Sequence, residues 1–454
     1  YSLGFMYWKG QGTLPDKEKA QEYLSQAAAM GNESAFQLLN RMDHESEEEK
    51  DIDPFARQAY LEAQQALADK ETEKYINLLS QSANLGYVQA LNDLGDLYFN
   101  GELAPKHMGK AYEYFLKASQ NGSGYGSYSC GFILMKGSSD IPRDIEKGLS
   151  MFRLAVEQNY KAATRDLARY YYSLETEEDN RKALDYYLQY IEYNPKDTDT
   201  LLHIGLIYES GLGVPLNIDL ARRYYERAAE QDETGMAYNF LGGTYMNDEE
   251  TESNERKAVH YFQKAIELGN TNAMFRISYY LHNGKGGLQV DIPREIELLT
   301  EASKRGNHQA TYRLGLLFED NESGMAQNLE LSVKYFQLAA DNGILAAINK
   351  MGELYLFGEV IPANLTKAIS CFTAASEQGY GKASYWLGRL HTDGIGQLEK
   401  DTQKAMNYYR KAIEQGYEEA REWMEQLQKN LVDETITDIE IPQDKSDEEL
   451  YKDA

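Results

Sequence analysis

The stretch KAMNYYRKAIEQGY, residues 404–417, combines two alanines seven positions apart, a pair of tyrosines and a closing glycine. Related stretches occur at four other places in the chain: EKAQEYLSQAAAMGN at 18–32, LARRYYERAAEQD at 220–232, RKAVHYFQKAIELGN at 256–270 and TKAISCFTAASEQGY at 366–380. A stretch that recurs along a chain usually marks a structural unit, so the period of the recurrence indicates the architecture.

A small residue at a fixed place in each unit, here called the anchor, gives the period. The anchor occurs nine times, at Gly95, Gly131, Ala168, Gly205, Gly242, Ser278, Gly315, Gly352 and Gly388. Successive anchors are 36 or 37 residues apart. This spacing predicts a structural repeat of 36–37 residues.

Each repeat has the pattern of two helices. A small residue often lies five positions before the anchor, a large apolar residue one position before it, and an aromatic or aliphatic residue three positions after it. These offsets place the three residues on one helical face, and the small anchor allows a neighbouring helix to approach closely. A glycine six positions after the anchor, such as Gly101 or Gly358, can end this first helix. The second helix then carries the quoted stretch.

One such helix pair cannot cover its own apolar face, whereas stacked pairs can. The pattern therefore predicts an all-α chain folded as an α-solenoid, a superhelix of stacked antiparallel helix pairs.

The repeat also resembles a known family. Its pattern is A-x-x-x-L-G-x-x-Y-x-x-G followed by K-A-x-x-Y-Y-x-K-A-x-x-x-G, seen best in ISCFTAASEQGYGKASYWLGRLHTDGIG at 369–396. This pattern is similar to Sel1-like repeats, which are relatives of the tetratricopeptide repeat. The resemblance covers 1–35 and 87–431. It implies scaffolding or adaptor roles, as in degradation at the endoplasmic reticulum or bacterial signalling and host interaction. Bacterial members with a disulfide in each repeat are not matched, because this chain lacks those cysteines.

The pattern is interrupted near both ends of the chain. Six consecutive segments are predicted: a repeat with a truncated start and a half-repeat at 1–42, an acidic loop or joint at 43–53, an atypical helix pair at 54–86, nine repeats at 87–417, a capping helix at 418–431 and an acidic tail at 432–454. An alternative for 43–53 is a long loop within one continuous stack. The tail could instead dock through its spaced isoleucines: Ile436, Ile439 and Ile441.

The composition excludes several classes of protein. The net charge is −27, but four short acidic segments contribute −22 of it, a distribution typical of solvated loops. No basic stripe exists to meet phosphates, so no nucleic-acid partner is expected. No window approaches 18 consecutive apolar residues, so no membrane span is expected. Cys130 and Cys371 lie in different repeats and are predicted to be free thiols, which favours a cytoplasmic location. Because the chain begins at Tyr1, a secreted or lumenal location stays open.

No catalytic constellation is recognisable. HExxH, CxxC and GxxxxGK[ST] are absent, and the seven histidines are scattered. His391 occupies the position that usually holds tyrosine three residues after the anchor, so it is predicted to pack rather than to bind a ligand. Most of the 36 tyrosines fall on the two apolar stripes and are predicted to pack between helices. We therefore expect a non-catalytic protein without cofactor or metal.

The predicted function is to bind a peptide segment or helix of a partner protein in a concave groove. By analogy with tetratricopeptide repeats, the groove positions lie three before, one after and four after the anchor. In three repeats these are Asn92, Asp96, Phe99, Tyr128, Phe132, Met135, Arg165, Arg169 and Tyr172. Aromatic residues, Met and Arg are enriched at interface centres, so this stretch predicts a partner with apolar residues and a carboxylate. Alternatively, the apolar residues fill a tight superhelix and the arginines pair with neighbouring acidic residues.

Two other functions are compatible with the sequence. The chain could be the regulatory or targeting arm of an enzyme whose catalytic part lies before Tyr1, as the missing Met suggests. It could also be a secreted bacterial factor that acts on host proteins. The partner, the organism and the compartment are not determined by these patterns.

Overall fold

A computed structural model describes residues 1–9, 16–30, 32, 34–36, 38, 39, 42, 53–320, 327–395 and 398–437. All regular secondary structure in these ranges is α-helical. The chain divides into two compact units, residues 1–270 and residues 271–454.

The helices of the first unit are α1 Ser2–Lys9, α2 Lys17–Ala29, α3 Pro54–Ala68, α4 Thr72–Asn84, α5 Val88–Asn100, α6 Met108–Gln120, α7 Gly124–Lys136, α8 Ile145–Glu157, α9 Ala162–Tyr172, α10 Glu177–Tyr193, α11 Thr198–Ser210, α12 Ile218–Ala229, α13 Met236–Met246 and α14 Glu252–Glu267. The described residues between 34 and 42 are also helical. The helices of the second unit are α15 Thr271–Asn283, α16 Ile292–Lys304, α17 His308–Glu319, α18 Leu329–Asp341, α19 Leu345–Phe357, α20 Leu365–Glu377, α21 Gly381–Asp393, α22 Thr402–Glu414 and α23 Ala420–Thr437.

Within each unit the helices pack as consecutive pairs. Each first helix, such as α5, packs against its own second helix, α6, which in turn packs against the first helix of the next repeat, α7. The second unit repeats this order from α15 to α23. This arrangement confirms the predicted all-α solenoid of stacked helix pairs.

The anchor glycines receive aromatic rings from the second helix of the same repeat. A Cβ placed on Gly131 would lie 2.6 Å from Cδ1 of Phe152, closer than side chains pack. The same relation holds in six other repeats, for the pairs Gly95–Phe115, Gly205–Tyr225, Gly242–Phe262, Gly315–Phe336, Gly352–Phe372 and Gly388–Tyr409. The close approach predicted at the anchor is thus a contact between backbone and ring.

The aromatic residues three positions after the anchor stack on a second-helix tyrosine. Six repeats have such near-parallel ring pairs, with interplanar angles of 3° to 11°: Tyr98–Tyr114, Tyr171–Tyr186, Tyr208–Tyr224, Tyr245–Tyr261, Phe318–Tyr335 and His391–Tyr408. His391 is therefore a packed side chain, as its position in the repeat predicts. The lysine of the K-A motif lies over some of these rings; Lys110 Nζ, for example, is 4.9 Å from the centre of the Tyr98 ring.

The regions that interrupt the repeat pattern near the two ends of the chain are described in part. The atypical pair consists of α3 and α4, which pack on each other. The last helix, α23, continues to Thr437 rather than ending at residue 431. Residues 43–52 of the predicted acidic joint and 438–454 of the predicted tail lie outside the described residues.

Candidate partner-binding face

The predicted groove residues three before and one after the anchor form contacts between first helices of successive repeats. The Asn92 amide donates to Ser123 Oγ at 3.0 Å, and the Tyr125 hydroxyl donates to Asp96 Oδ1 at 2.6 Å. Tyr128 donates to Asp166 Oδ2 at 2.8 Å. We call the surface made by these positions of α5, α7 and α9, together with Phe99 of α5, the first-helix face; it comprises Asn92, Asp96, Phe99, Tyr128, Phe132, Arg165 and Arg169.

The two arginines of this face are paired within the chain. The Arg165 guanidinium lies 3.5 Å from Asp197 Oδ1 and 5.6 Å from the centre of the Tyr190 ring. Arg169 pairs with Asp199. These are the ion pairs with neighbouring acidic residues that the alternative interpretation of the sequence predicts. A carboxylate of a partner would therefore have to exchange with Asp197 or Asp199.

The apolar part of the face is formed by two phenylalanines. The rings of Phe99 and Phe132 meet edge-to-face with centroids 6.0 Å apart. Lys106 Nζ lies 5.6 Å from the Phe99 ring centre and Lys136 Nζ 4.6 Å from the Phe132 ring centre. The half-buried rings thus make a joint apolar surface across two repeats, bordered by ammonium groups.

The other two predicted residues contact other parts of the solenoid. A Cβ placed on Gly148 would lie 2.7 Å from Met135 Cγ, so Met135 packs on the second helix of its own repeat. Tyr172 meets the His203 ring edge-to-face, with centroids 5.2 Å apart. The structure therefore brings Phe99 and Phe132 together, whereas Met135 contacts α8.

A segment of the chain itself contacts the second helix α10 beside the first-helix face. The rings of Phe36 and Tyr190 are 5.5 Å apart at an interplanar angle of 84°. A cavity of about 610 Å³ lies between the N-terminal region and the face, and Phe5, Trp8 and Leu38 line it together with Asp96 and Phe99. We call the described residues between 34 and 42 the N-terminal segment.

A second cavity, of about 430 Å³, lies further along the same contact. Phe36 and Leu39 line it together with Lys161, Tyr193 and Asn194. A repeat stacked on the end of a solenoid contacts only its neighbour. The N-terminal segment instead also adjoins residues of α5, across the first cavity, and of α10. The sequence predicts this segment as a first helix and does not predict its location.

The apolar side chains of the N-terminal segment are buried. Ala35 and Met42 are 0% and 1% exposed, and Phe36 and Leu38 are each 8% exposed. The sequence indicates this segment by a first-helix pattern, SAFQLLNRM at 34–42. The acidic run follows it at the place where a second helix is expected. The preceding helix pair covers this side of the segment: Ala35, Leu38 and Met42 form one buried apolar cluster with Ala20 and Leu24 of α2.

Burial changes the titration of a thiol and a phenol in this part of the chain. Burial raises the pKa of the Cys130 thiol to about 12, which keeps it neutral. Burial and the Asp166 carboxylate raise the pKa of Tyr128, so its phenol remains a hydrogen-bond donor. Within the described ranges, no group of three or more His, Cys, Asp or Glu side chains is placed to hold a metal ion. No helix in the described part of the chain combines the length and the apolar character that crossing a membrane requires.

Ten segments of the chain match the Sel1 repeat. They are residues 1–32, 88–123, 125–160, 161–189, 200–233, 235–270, 271–307, 308–344, 345–380 and 381–417. The chain belongs to the Sel1 repeat family. This confirms the resemblance found in the sequence, and proteins of this family are generally non-catalytic scaffolds for protein–protein interaction.

One curated relative and one solved structure are similar to the chain. The Sel1-repeat-containing protein YjcO of Escherichia coli K12 is 31% identical over 78 residues, which are 17% of this chain and 34% of YjcO. The chain thus matches about a third of the length of that relative. The crystal structure of c5321, described as a protective antigen present in uropathogenic Escherichia coli strains, displays an SLR fold. It is 21% identical, has a TM-score of 0.56 and aligns over 94% of this chain and 87% of c5321. This likeness supports the fold.

Proposed function

We propose that this protein is a non-catalytic scaffold that binds a segment of a partner protein on its first-helix face. The observation that carries the proposal is the joint aromatic surface of Phe99 and Phe132, two half-buried rings on successive first helices bordered by Lys106 and Lys136. The cavity of about 610 Å³ that Phe99 and Asp96 help to line adds a recess for a partner side chain beside this surface.

The proposed recognition is mainly apolar. Phe99 and Phe132 offer the partner a paired aromatic surface, and aromatic residues are frequent among the residues that dominate binding energy. Arg165 and Arg169 contribute less, because their charges are already compensated by Asp197 and Asp199. A partner carboxylate would replace one ion pair by another. The partner is therefore proposed to be an apolar helix or extended segment, for which a carboxylate is an accessory feature.

Site-specific cross-linking tests this proposal. Benzoylphenylalanine replaces Phe132 in one variant and Phe55 in a control, and the cross-linked peptides are identified by mass spectrometry after exposure to cell extract. Phe55 is 80% exposed and lines neither cavity. Because it is so accessible, non-specific cross-linking of proteins in the extract would be at least as frequent at the control position as at position 132. We expect one defined partner segment at position 132 and none in common with position 55. The same set of peptides at both positions would contradict the proposal.

A further inference from the structure

We infer that Lys106 and Lys136 select acidic partner segments on the first-helix face. The selected segment places an apolar side chain on the rings of Phe99 and Phe132 and carries carboxylates next to it, within reach of the two ammonium groups. This inference rests on the proposed function and adds the charge of the partner and the residues that recognise it.

The two lysines belong to successive repeats, and each lies on one ring of the aromatic pair. Lys106 lies in the loop between α5 and α6, and its Nζ is 5.6 Å from the centre of the Phe99 ring. Lys136 is the last residue of α7, and its Nζ is 4.6 Å from the centre of the Phe132 ring. Because the two ring centres are only 6.0 Å apart, a segment that contacts both rings meets both ammonium groups.

The two ammonium groups are available for a new ion pair. Both lysines are exposed, and within the described residues no carboxylate lies within ion-pair distance of Lys106 or Lys136. Both arginines of the face, in contrast, already pair with aspartates of the next repeat. A lysine on an exposed ring is held weakly. A partner carboxylate therefore gains a contact at the lysines without breaking an ion pair, whereas at the arginines it has to displace one.

The loop between α7 and α8 adds a third cation. Arg143 Nε donates to the Met135 carbonyl at 3.1 Å, which holds its guanidinium beside the end of α7, where Lys136 lies. The two aspartates of this loop contact a histidine and another lysine instead. The edge of the aromatic surface thus has three cations that lack a carboxylate partner in the described part of the chain, although the net charge of the protein is −27.

These cations provide selectivity more than affinity. Apolar contact with the rings supplies most of the binding energy, since aromatic residues are frequent among the residues that dominate it. Complementary charges at the border of an interface mainly determine which partner binds and how fast it associates. A basic segment of the same apolar character is repelled at Lys106 and Lys136, and a neutral one gains nothing there. The face is therefore specific for acidic residues next to apolar ones.

Peptide selection tests this charge preference. Random dodecapeptides displayed on phage are selected in parallel on the full chain, on a Lys106→Glu/Lys136→Glu variant and on a Lys110→Glu/Lys117→Glu control. The control lysines also lie on aromatic rings but belong to the second helix α6, so the control has the same change in charge away from the face. We expect the parent and the control to enrich peptides with Asp or Glu next to an apolar residue. The double variant should enrich Lys or Arg at those places.

Fluorescence anisotropy then measures the Kd of the most enriched parent peptide. We expect the Lys106→Glu/Lys136→Glu variant to bind it about 5- to 30-fold more weakly than the parent and the control, because two exposed ion pairs become repulsions. Raising the ionic strength from about 0.05 M to about 0.5 M should weaken binding to the parent and have less effect on a Lys106→Gln/Lys136→Gln variant.

The same acidic peptides with the same Kd on the parent and the Lys106→Glu/Lys136→Glu variant would overturn the inference. Parent peptides without a preference for acidic residues would also overturn it. A Phe99→Ser/Phe132→Ser variant separates this failure from failure of the proposed function. If it loses uncharged apolar peptides that the parent binds, the face stands and only the inference fails. If it binds every parent peptide as tightly as the parent, or if the parent enriches no peptide, both are contradicted.

Discussion

At Gly131 a single hydrogen atom takes the place of a side chain, and the ring of Phe152 lies against it. The anchor position is therefore small because an aromatic residue on the second helix needs the space. The sequence predicts the close approach, since the small residue recurs every 36–37 positions. It does not reveal which residue approaches, because several apolar residues of the second helix are spaced suitably.

Substitution of two glycines by alanine tests this contact. Gly131→Ala forces the Phe152 ring or the Gly148 carbonyl to move and should cost about 1–3 kcal/mol of unfolding free energy. Gly109, in helix α6, has only side-chain atoms at 3.3 Å or more near a new Cβ. Gly109→Ala should be neutral or stabilising by up to about 1 kcal/mol, because alanine is the better helix former. Urea denaturation measures both; equal effects of the two substitutions would show that the anchor assignment is wrong.

At the scale of the element, hydrogen-bonded clasps join successive repeats. Ser119 and Ser127 hydroxyls are 2.6 Å apart, and the Gln158 amide donates to the Ser119 carbonyl at 3.0 Å. The same arrangement recurs at Ser376, Ser384 and Gln415. Each clasp needs side chains from separate parts of the chain and occurs in a minority of the repeats. Apolar periodicity therefore predicts the helices but not these polar contacts.

Helix α16 shows how one repeat compensates for departures from the pattern. Its residue Glu295 is fully buried at a position that is Ala, Gly or Ser in the other repeats, such as Ala258 and Ser332. The carboxylate accepts from Arg313 Nε at 3.2 Å and lies 3.0 Å from His282 Nδ1. In the same repeat, Ser278 and Leu299 replace the glycine and the ring of the other repeats.

Removing only the arginine of the buried Glu295–Arg313 pair should destabilise the fold more than removing both charged residues. Arg313→Met leaves Glu295 without its cationic partner and should cost about 3 kcal/mol, the lower end for a broken buried pair because Arg313 is partly exposed. Adding Glu295→Ala restores the residue type of the other repeats and should recover most of that loss. Thermal unfolding of both variants followed by circular dichroism tests the expectation, which fails when the double variant is less stable than the single one.

At the scale of the whole molecule, the fold could be predicted from the sequence and the contact of the N-terminal segment with α10 could not. The Sel1 pattern depends on residues that recur within each repeat, and one chain supplies nine copies of it. The contact of Phe36 with Tyr190 joins residues far apart in the chain, and Phe36 lies outside the matched repeats. No periodic signal marks such a contact. The ion pairs of Arg165 and Arg169 were foreseen only as an alternative, because spacing does not identify their partners.

The central claim, that a partner segment binds the first-helix face through Phe99 and Phe132, is tested most directly by one calorimetric comparison. The partner segment cross-linked at position 132 is titrated into the parent chain, a Phe99→Ser/Phe132→Ser variant and a Phe55→Ser control. The account predicts that the parent and the control bind with equal affinity and the double variant binds more weakly, with all three proteins folded. The same affinity for all three proteins would contradict it.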